Sequence, residues 1–219
     1  MKKAIVLIFA IFGVHFISSA QSETFNAQME SAVRLLDNAK SIGDFQKLAN
    51  TFTRIAAGNQ AHWLPYYYAA YCNTRIGWMY EKADPEKIEP FVTMAAQQIT
   101  KAKSLVDTTT QKNEMAEIYC VMSMIKRGWV FINPMTYGSE YGMASKTLFE
   151  KGKALAPENP RILYLEGWEK YNAPKMWGGD KAKAKELLTL AIRKLETNPS
   201  TGIYPRWGKS VCEEILQLY

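Results

Sequence analysis

Few residues in this chain have the types and spacing that catalysis requires. Histidine occurs only twice, at His15 and His62, and His62 precedes Trp63 with no partner of its own type nearby. The chain therefore lacks the set of residues that a histidine-based metal site or a nucleophilic triad requires. The chain has no glycine-rich phosphate loop, no Cys-x-x-Cys and no Gly-x-Ser-x-Gly. We predict a non-enzymatic protein with no catalytic residues, no metal site and no cofactor.

Paired carboxylates are the remaining pattern that could do chemistry. Glu114 and Glu117 lie three residues apart, and Glu213 and Glu214 are adjacent. Glycan-cleaving enzymes work with two carboxylates, but such pairs occur on any solvated helical surface. We predict that these four are ordinary exposed helix acids. An all-helical enzyme that uses carboxylates alone is the alternative that the pattern leaves open.

Each of the three cysteines, Cys72, Cys120 and Cys212, lies within an apolar run. An odd number leaves at least one thiol unpaired within a chain. We expect buried thiols. A disulfide between Cys72 and Cys120 is the alternative, because both fall in helices that could be neighbours.

The N-terminus has the pattern of a secretory signal. Residues 1–3 are basic, residues 4–17 are apolar, and residues 18–20 are small. An apolar stretch of about 14 residues is short for a membrane span, which needs about 20. We predict cleavage after Ala20, export to the periplasm or beyond without a stable membrane anchor, and one domain over residues 21–219.

The charge of the exported chain is mild. Without Lys2 and Lys3 it carries 25 basic against 21 acidic residues, a net charge near +4. Lys181, Lys183 and Lys185 alternate with Ala and Glu, as on a solvated helix face. We predict no nucleic-acid binding, since no basic stripe stands out.

Small residues at helical intervals indicate packed helical hairpins. Two sets share the spacing i, i+4, i+7: Ser145, Phe149 and Gly152, then Ala184, Leu188 and Ala191. Pro157 ends the first of these helices, and Gly167 lies in the helix between them. Antiparallel helices approach closely where such small side chains lie, so this spacing predicts a stacked-helix scaffold.

The pattern resembles the tetratricopeptide repeat, a helical hairpin of about 34 residues. Leu48, Phe52 and Ile55, followed by Ala70, repeat its intervals upstream. Glu196 where the consensus has Pro makes the repeats degenerate. With its Trp-Leu-Pro-Tyr-Tyr-Tyr run, the chain is similar to exported proteins of the Bacteroidota. The resemblance implies an all-α, right-handed solenoid of antiparallel helical hairpins with about 8–9 helices.

The resemblance also implies a concave groove lined by the first helix of each hairpin. The candidate partner-binding residues on it are Tyr67, Tyr71, Arg75, Arg161, Tyr164, Trp168 and Tyr171. Their spacings of three and four put each set on one helix face. Tyr and Trp bury large areas, and Arg recognises carboxylates. Packing within the core is the alternative for all the aromatics.

Two segments share the order Pro, two residues, an aromatic and Gly: 134–138, with Tyr137, and 174–178, with Trp177. We predict that both are loops within hairpins, which either cap the hairpin ends or form a rim beside a binding surface. We also predict that Asp44 caps the second helix and that a last helix near 205–218 covers the open end of the stack.

Two functions fit these features. The first is a scaffold protein of the cell envelope that holds a peptide or protein partner in the aromatic groove. The alternative is an accessory subunit of an uptake system that binds a small apolar or carbohydrate ligand. A closed pocket around Trp168, Trp177 and Tyr137 favours the small ligand, and an open groove favours the protein partner.

Overall fold

The computed structural model describes residues 23–197 and 200–219, so the predicted signal peptide lies outside the described residues. Within this part every regular element is helical, which confirms the all-α prediction. The helices are α1 (23–36), α2 (Ile42–Gly58), α3 (Trp63–Met79), α4 (Ile88–Ser104), α5 (Lys112–Ile132), α6 (Pro134–Leu155), α7 (Pro160–Asn172), α8 (Lys181–Thr197) and α9 (Lys209–Leu216). Short 3-10 turns span Pro85–Lys87 and Lys175–Trp177. None of these described helices is long and apolar enough to cross a membrane.

Side-chain caps fix several helix starts. At α2 the N-cap is Ser41, whose Oγ accepts from the Asp44 N–H at 3.1 Å. Asp44 Oδ2 accepts from the Ser41 N–H at 2.9 Å in return. The prediction that Asp44 is itself the cap is wrong, because Asp44 is the third helical residue of a capping box. Asn159 caps α7 by accepting from the N–H of Arg161 at 2.8 Å.

Consecutive helices pack as hairpins, and α3, α5 and α7 lie side by side. A Cβ at Gly167 would lie 2.8 Å from Leu188 Cγ, and one at Gly152 would lie 2.9 Å from Ile162 Cδ1. Ser145 Oγ donates to the carbonyl of Ser123 at 2.9 Å, across α5 and α6. The predicted close contacts at these small residues are confirmed.

One hydrophobic core extends from Phe25 in α1 to Ile215 in α9. Its interior includes Cys72, Cys120 and Cys212, all free thiols and all buried. The buried-thiol prediction is confirmed, and the Cys72 to Cys120 disulfide is not formed.

After α8 the chain returns to the side of α3 and α7 on which the sequence predicts a groove, here called the concave side. Residues 203–208 cross from the last hairpin to α3, and α9 then packs on α8. Gly208 adopts a φ of 127°, which favours glycine, just before α9 begins. The last helix therefore starts at Lys209 rather than near 205, and the segment before it lies across the concave side.

Candidate ligand-binding surface

The C-terminal segment fills the centre of the concave side. The indole of Trp207 stacks on Tyr71 with ring centroids 4.1 Å apart and meets the edge of Tyr164 at 6.0 Å. Its Nε1–H donates to the hydroxyl of Tyr67 at 2.8 Å. Tyr67, Tyr71 and Tyr164 are 0%, 3% and 1% exposed. Three of the predicted partner-binding residues thus pack against Trp207 of the same chain. At these positions the structure agrees with the alternative interpretation, in which the aromatics pack within the core.

Polar contacts hold the same segment at its two ends. Arg206 donates to Asp37 Oδ2 through Nε at 3.0 Å and through Nη2 at 2.7 Å. The Tyr68 hydroxyl donates to the carbonyl of Ile203 at 3.1 Å. These bonds connect the segment to the end of α1 and to α3, so it spans the concave side from its last hairpin to its first.

A buried ion pair adjoins Trp207. Arg161 donates to Glu117 Oε1 through Nε at 2.8 Å and through Nη2, and Asn159 Nδ2 donates to the same oxygen at 2.6 Å. Tyr67 Oη donates to Glu117 Oε2 at 2.8 Å. The prediction that Glu117 is an exposed acid is wrong, because its face of α5 packs on α7. The guanidinium of Arg161 is engaged by Glu117 instead of being presented to a partner.

Burial also determines the protonation of the groove tyrosines. Loss of hydration raises the pKa of Tyr67, Tyr71 and Tyr164, and the charge of Glu117 raises that of Tyr67 further. Their hydroxyls therefore remain neutral, and that of Tyr67 donates its proton to Glu117.

A second aromatic group lies at the C-terminal ends of α3, α5 and α7. We call Trp78, Phe131 and Trp168, with the guanidinium of Arg127, the aromatic patch. Trp78 lies 4.9 Å from Trp168 and 5.3 Å from Phe131 between ring centroids. Arg127 Cζ lies 5.8 Å from the Trp168 ring, and its Nη2 donates to Glu169 at 2.9 Å. Phe131 and Trp168 are partly exposed, so this patch is the concave aromatic surface that Trp207 leaves uncovered.

Of the patch residues, only Trp168 was predicted from the sequence. Phe131 lies on the same face of α5 as Glu117, about four turns further on. Arg127 is one turn before Phe131. A helical register for α5 anchored on Glu117 could have found both residues.

Further apolar side chains are exposed next to the aromatic patch, at the same end of the helical hairpins. Trp177 is 76% exposed and Met176 is 83% exposed in the 3-10 turn between α7 and α8. Met135 is 96% exposed in the first turn of α6, just after α5. The prediction that Trp177 lies in a loop within its hairpin is confirmed.

Tyr137 does not lie in a loop. Asn133 caps α6 by accepting from the Thr136 N–H at 3.0 Å, so the segment 134–138 is the first turn of that helix. Pro fits the first helical position because its missing N–H costs nothing there. Tyr137 lies 5.8 Å from Trp129, in a cluster separate from that of Trp168. Two of the three aromatics whose enclosure of one pocket would favour a small ligand, Tyr137 and Trp168, therefore belong to separate clusters.

The two remaining predicted residues have local partners. Tyr171 lies 5.4 Å from the ring of Tyr219, and Lys181 Nζ lies 4.9 Å from the centre of its ring. Arg75 Cζ lies 5.7 Å from the ring of Phe45. Tyr171 thus packs against the C-terminal residue, whereas Arg75 lines a cavity beside Phe45.

An open cavity of about 650 Å³ lies at the opposite end, where α3, α5 and α7 begin. Trp63, Tyr204 and the Glu117–Arg161 pair line it, together with Lys194. Lys194 donates to Glu158 at 2.9 Å, so the basic and acidic groups of this cavity are largely paired with one another.

His62 lies at this same end. It is exposed at the N-cap position of α3 and stacks on Phe25 with centroids 4.3 Å apart. Across residues 23–197 and 200–219, no group of three or more His, Cys, Asp or Glu side chains is arranged to hold a metal ion.

Comparisons with known proteins give one structural likeness. No protein-family model matches the chain, and no curated protein matches its sequence. Among solved structures, the chain is similar to the HusA haemophore from Porphyromonas gingivalis, with a TM-score of 0.70. The two are 26% identical over 90% of this chain and 91% of the other. The neighbour is therefore a binding protein whose fold matches nearly the whole of this one.

Proposed function

We propose that this chain is an exported, non-enzymatic binding protein of tetratricopeptide-repeat-like architecture that carries a flat apolar ligand of the tetrapyrrole class. The observation that carries the proposal is the likeness to a haemophore over nine-tenths of both chains. The small-ligand alternative from the sequence is thereby favoured over a peptide in the groove. Residues 203–208 occupy the part of the groove that a peptide needs.

The aromatic patch is the site that we assign to this ligand. A tetrapyrrole is a planar aromatic macrocycle, and aromatic rings stack on one another at centroid distances of about 4.5–7 Å. Phe131 and Trp168 present partly exposed rings for such stacking, and Trp177 and Met176 extend the apolar surface. Arg127 over Trp168 supplies a cation for an ionised carboxylate of the ligand.

Iron coordination by histidine is not part of the proposal. His62 and Trp78 lie at opposite ends of α3, roughly 24 Å apart along a helix with a rise of 1.5 Å per residue. Recognition at the patch therefore rests on the ring and the carboxylates of the ligand. The exposed thioethers of Met135 and Met176 lie at this end of the molecule and would be available to a haem iron.

The test is a titration of the purified protein with hemin and with iron-free protoporphyrin, followed by Soret absorbance and tryptophan fluorescence. We expect both to bind, and Trp168→Ala to weaken binding about tenfold through lost stacking. Trp129→Ala is the matched control, because Trp129 lies in the separate cluster with Tyr141.

The two outcomes against the proposal are distinct. If neither porphyrin binds to the wild type, the tetrapyrrole assignment is wrong. If both bind but Trp168→Ala and Trp129→Ala behave alike, the ligand class stands and the aromatic patch is the wrong site.

A further inference from the structure

A second, smaller cavity lies between the first hairpins and the C-terminal segment. Its volume is about 350 Å³, near the lower end for small-molecule sites. Phe45, Tyr71 and Trp207 form aromatic walls, and Arg75 reaches it from α3. None of Trp78, Phe131 and Trp168 lines it, so it is separate from the aromatic patch.

Arg75 has no carboxylate partner, unlike the neighbouring arginines, and its side chain hydrogen-bonds with Tyr164 instead. Its Nε–H is buried and meets no acceptor among the described residues, as is also true of the Nε–H of Arg127. The other concave arginines all pair with carboxylates: Arg127 with Glu169, Arg161 with Glu117, and Arg206 with Asp37. No described carboxylate forms an ion pair with Arg75. A buried group that makes no hydrogen bond is uncommon in folded proteins and calls for an explanation.

The surroundings of Arg75 keep it charged without neutralising it. Burial lowers its pKa, but the hydroxyls of Tyr71 and Tyr164, the second of which hydrogen-bonds with Arg75, and the carboxylate of Glu214 raise it by more. Its guanidinium lies 5.7 Å from the Phe45 ring, an attraction weaker than that of a paired carboxylate. A positive charge that is partly removed from water without a carboxylate partner is costly to the fold. An anionic ligand in the cavity would offset that cost.

We propose that this cavity binds a small molecule with one carboxylate and an aromatic body, and that Arg75 is the residue that binds the carboxylate. The ring of the ligand lies among Phe45, Tyr71 and Trp207, and the carboxylate accepts hydrogen bonds from the guanidinium. The volume suits a ligand of about the size of benzoate. This site does not depend on the tetrapyrrole proposal.

The test compares benzoate with benzamide, its neutral isostere, by calorimetry and by amide chemical shifts at constant ionic strength. We expect benzoate to bind the wild type at least about tenfold more tightly than benzamide, because the hydrogen bonds to Arg75 are charge-assisted. Arg75→Met should remove this preference. Arg54→Met should leave it unchanged, since Arg54 is exposed on α2 and does not line the cavity.

Two further readouts separate binding from folding. Arg75→Met should unfold at a temperature no lower than the wild type, because it removes an unpaired charge. Glu214→Gln should bind benzoate about two- to threefold more tightly, since it removes a competing negative charge from exposed α9. The proposal is overturned if benzoate shows no preference over benzamide, if Arg75→Met binds like the wild type, or if Glu214→Gln binds more weakly.

Discussion

Glu117 and Arg161 show how a charge pair can be kept inside a helical stack. The carboxylate receives hydrogen bonds from Arg161, Asn159 and Tyr67, so both of its oxygens have partners. Two charges taken out of water repay their lost hydration only when such bonds are complete. The pair also connects α5 to α7, and through Tyr67 and Trp207 it connects both to the C-terminal segment.

Removing both partners of this pair should cost less than the sum of the costs of removing each one alone. We expect Arg161→Met to lower the free energy of unfolding by about 3 kcal/mol, because Glu117 is left buried and uncompensated. The double variant Glu117→Gln/Arg161→Met should lose less than the sum of the two single variants. Urea denaturation of the four proteins gives this coupling directly. Strict additivity would show that the two side chains do not interact.

At the scale of helices, glycines determine how closely the elements approach. A Cβ at Gly128 in α5 would lie 2.6 Å from Val92 Cγ1 of α4, and one at Gly167 would lie 2.8 Å from Leu188 Cγ. At Gly142 in α6 nothing lies within 4 Å of the added atom. The first two glycines serve packing between helices, whereas Gly142 costs helix stability without a compensating contact.

Alanine substitutions should therefore have opposite signs at these positions. We expect Gly128→Ala and Gly167→Ala to destabilise the protein by about 1–3 kcal/mol through overpacking. Gly142→Ala, the matched control in a helix interior, should stabilise it by up to about 1 kcal/mol. Thermal unfolding of the three variants measures the signs. A stabilising Gly167→Ala would mean that α7 and α8 are not in close contact.

The α4–α5 connection contains a pH-sensitive turn. Hydrogen bonds from the hydroxyl and the N–H of Thr109, with a further bond from Thr110, lower the pKa of Asp107 to about 2. Because the folded pKa is below the unfolded value, the contribution of Asp107 is present above about pH 4 and is lost as the pH falls towards 2.

Asp107→Asn should isolate this contribution. The amide cannot ionise, so we expect a lower unfolding temperature than the wild type at pH 5–7 and a difference that shrinks as the pH approaches 2. Thermal unfolding of both proteins from pH 2 to 7 is the measurement. If the difference in unfolding temperature between the two proteins stays constant over this pH range, the effect of the substitution does not come from the charge of Asp107.

Local patterns explain which elements could be predicted from the sequence. Helix ends and close helix contacts depend on neighbours within a few residues, so Gly167 and Gly152 could be assigned from spacing alone. The position of Trp207 could not, because its partner Tyr67 is 140 residues away and the segment has no helical period. Glu117 was misjudged for the same reason, since Arg161 lies 44 residues later.

At the scale of the whole molecule, the C-terminal segment covers the centre of the concave side and connects the first hairpin to the last. Its Trp207 contacts Tyr71 of α3 and Tyr164 of α7, and Arg206 reaches Asp37 beyond α1. Besides the aromatic patch, the cavities of about 650 Å³ and 350 Å³ stay open beside this segment. A concave side filled by its own chain favours small ligands over a long bound peptide.

The reaction rates of the three buried thiols can show how the C-terminal segment detaches from the rest of the molecule. Burial raises the pKa of Cys72 and Cys120, and it raises that of Cys212 in α9 to about 12, so all three should react slowly with thiol reagents in the native protein. Cys72 and Cys120 lie on the central helices α3 and α5, whereas α9 is a short terminal helix. Terminal elements open at lower free-energy cost than a core does, so Cys212 should react first.

The measurement is labelling with an alkylating reagent at increasing low urea, with the modified cysteine identified by peptide mass. We expect Trp207→Phe to accelerate labelling of Cys212 severalfold, because phenylalanine keeps the stacking on Tyr71 but loses the bond to Tyr67. The rates at Cys72 and Cys120 should change less, since their exposure requires opening of the core. Equal rates at all three cysteines would show that the C-terminal segment opens only when the whole molecule unfolds.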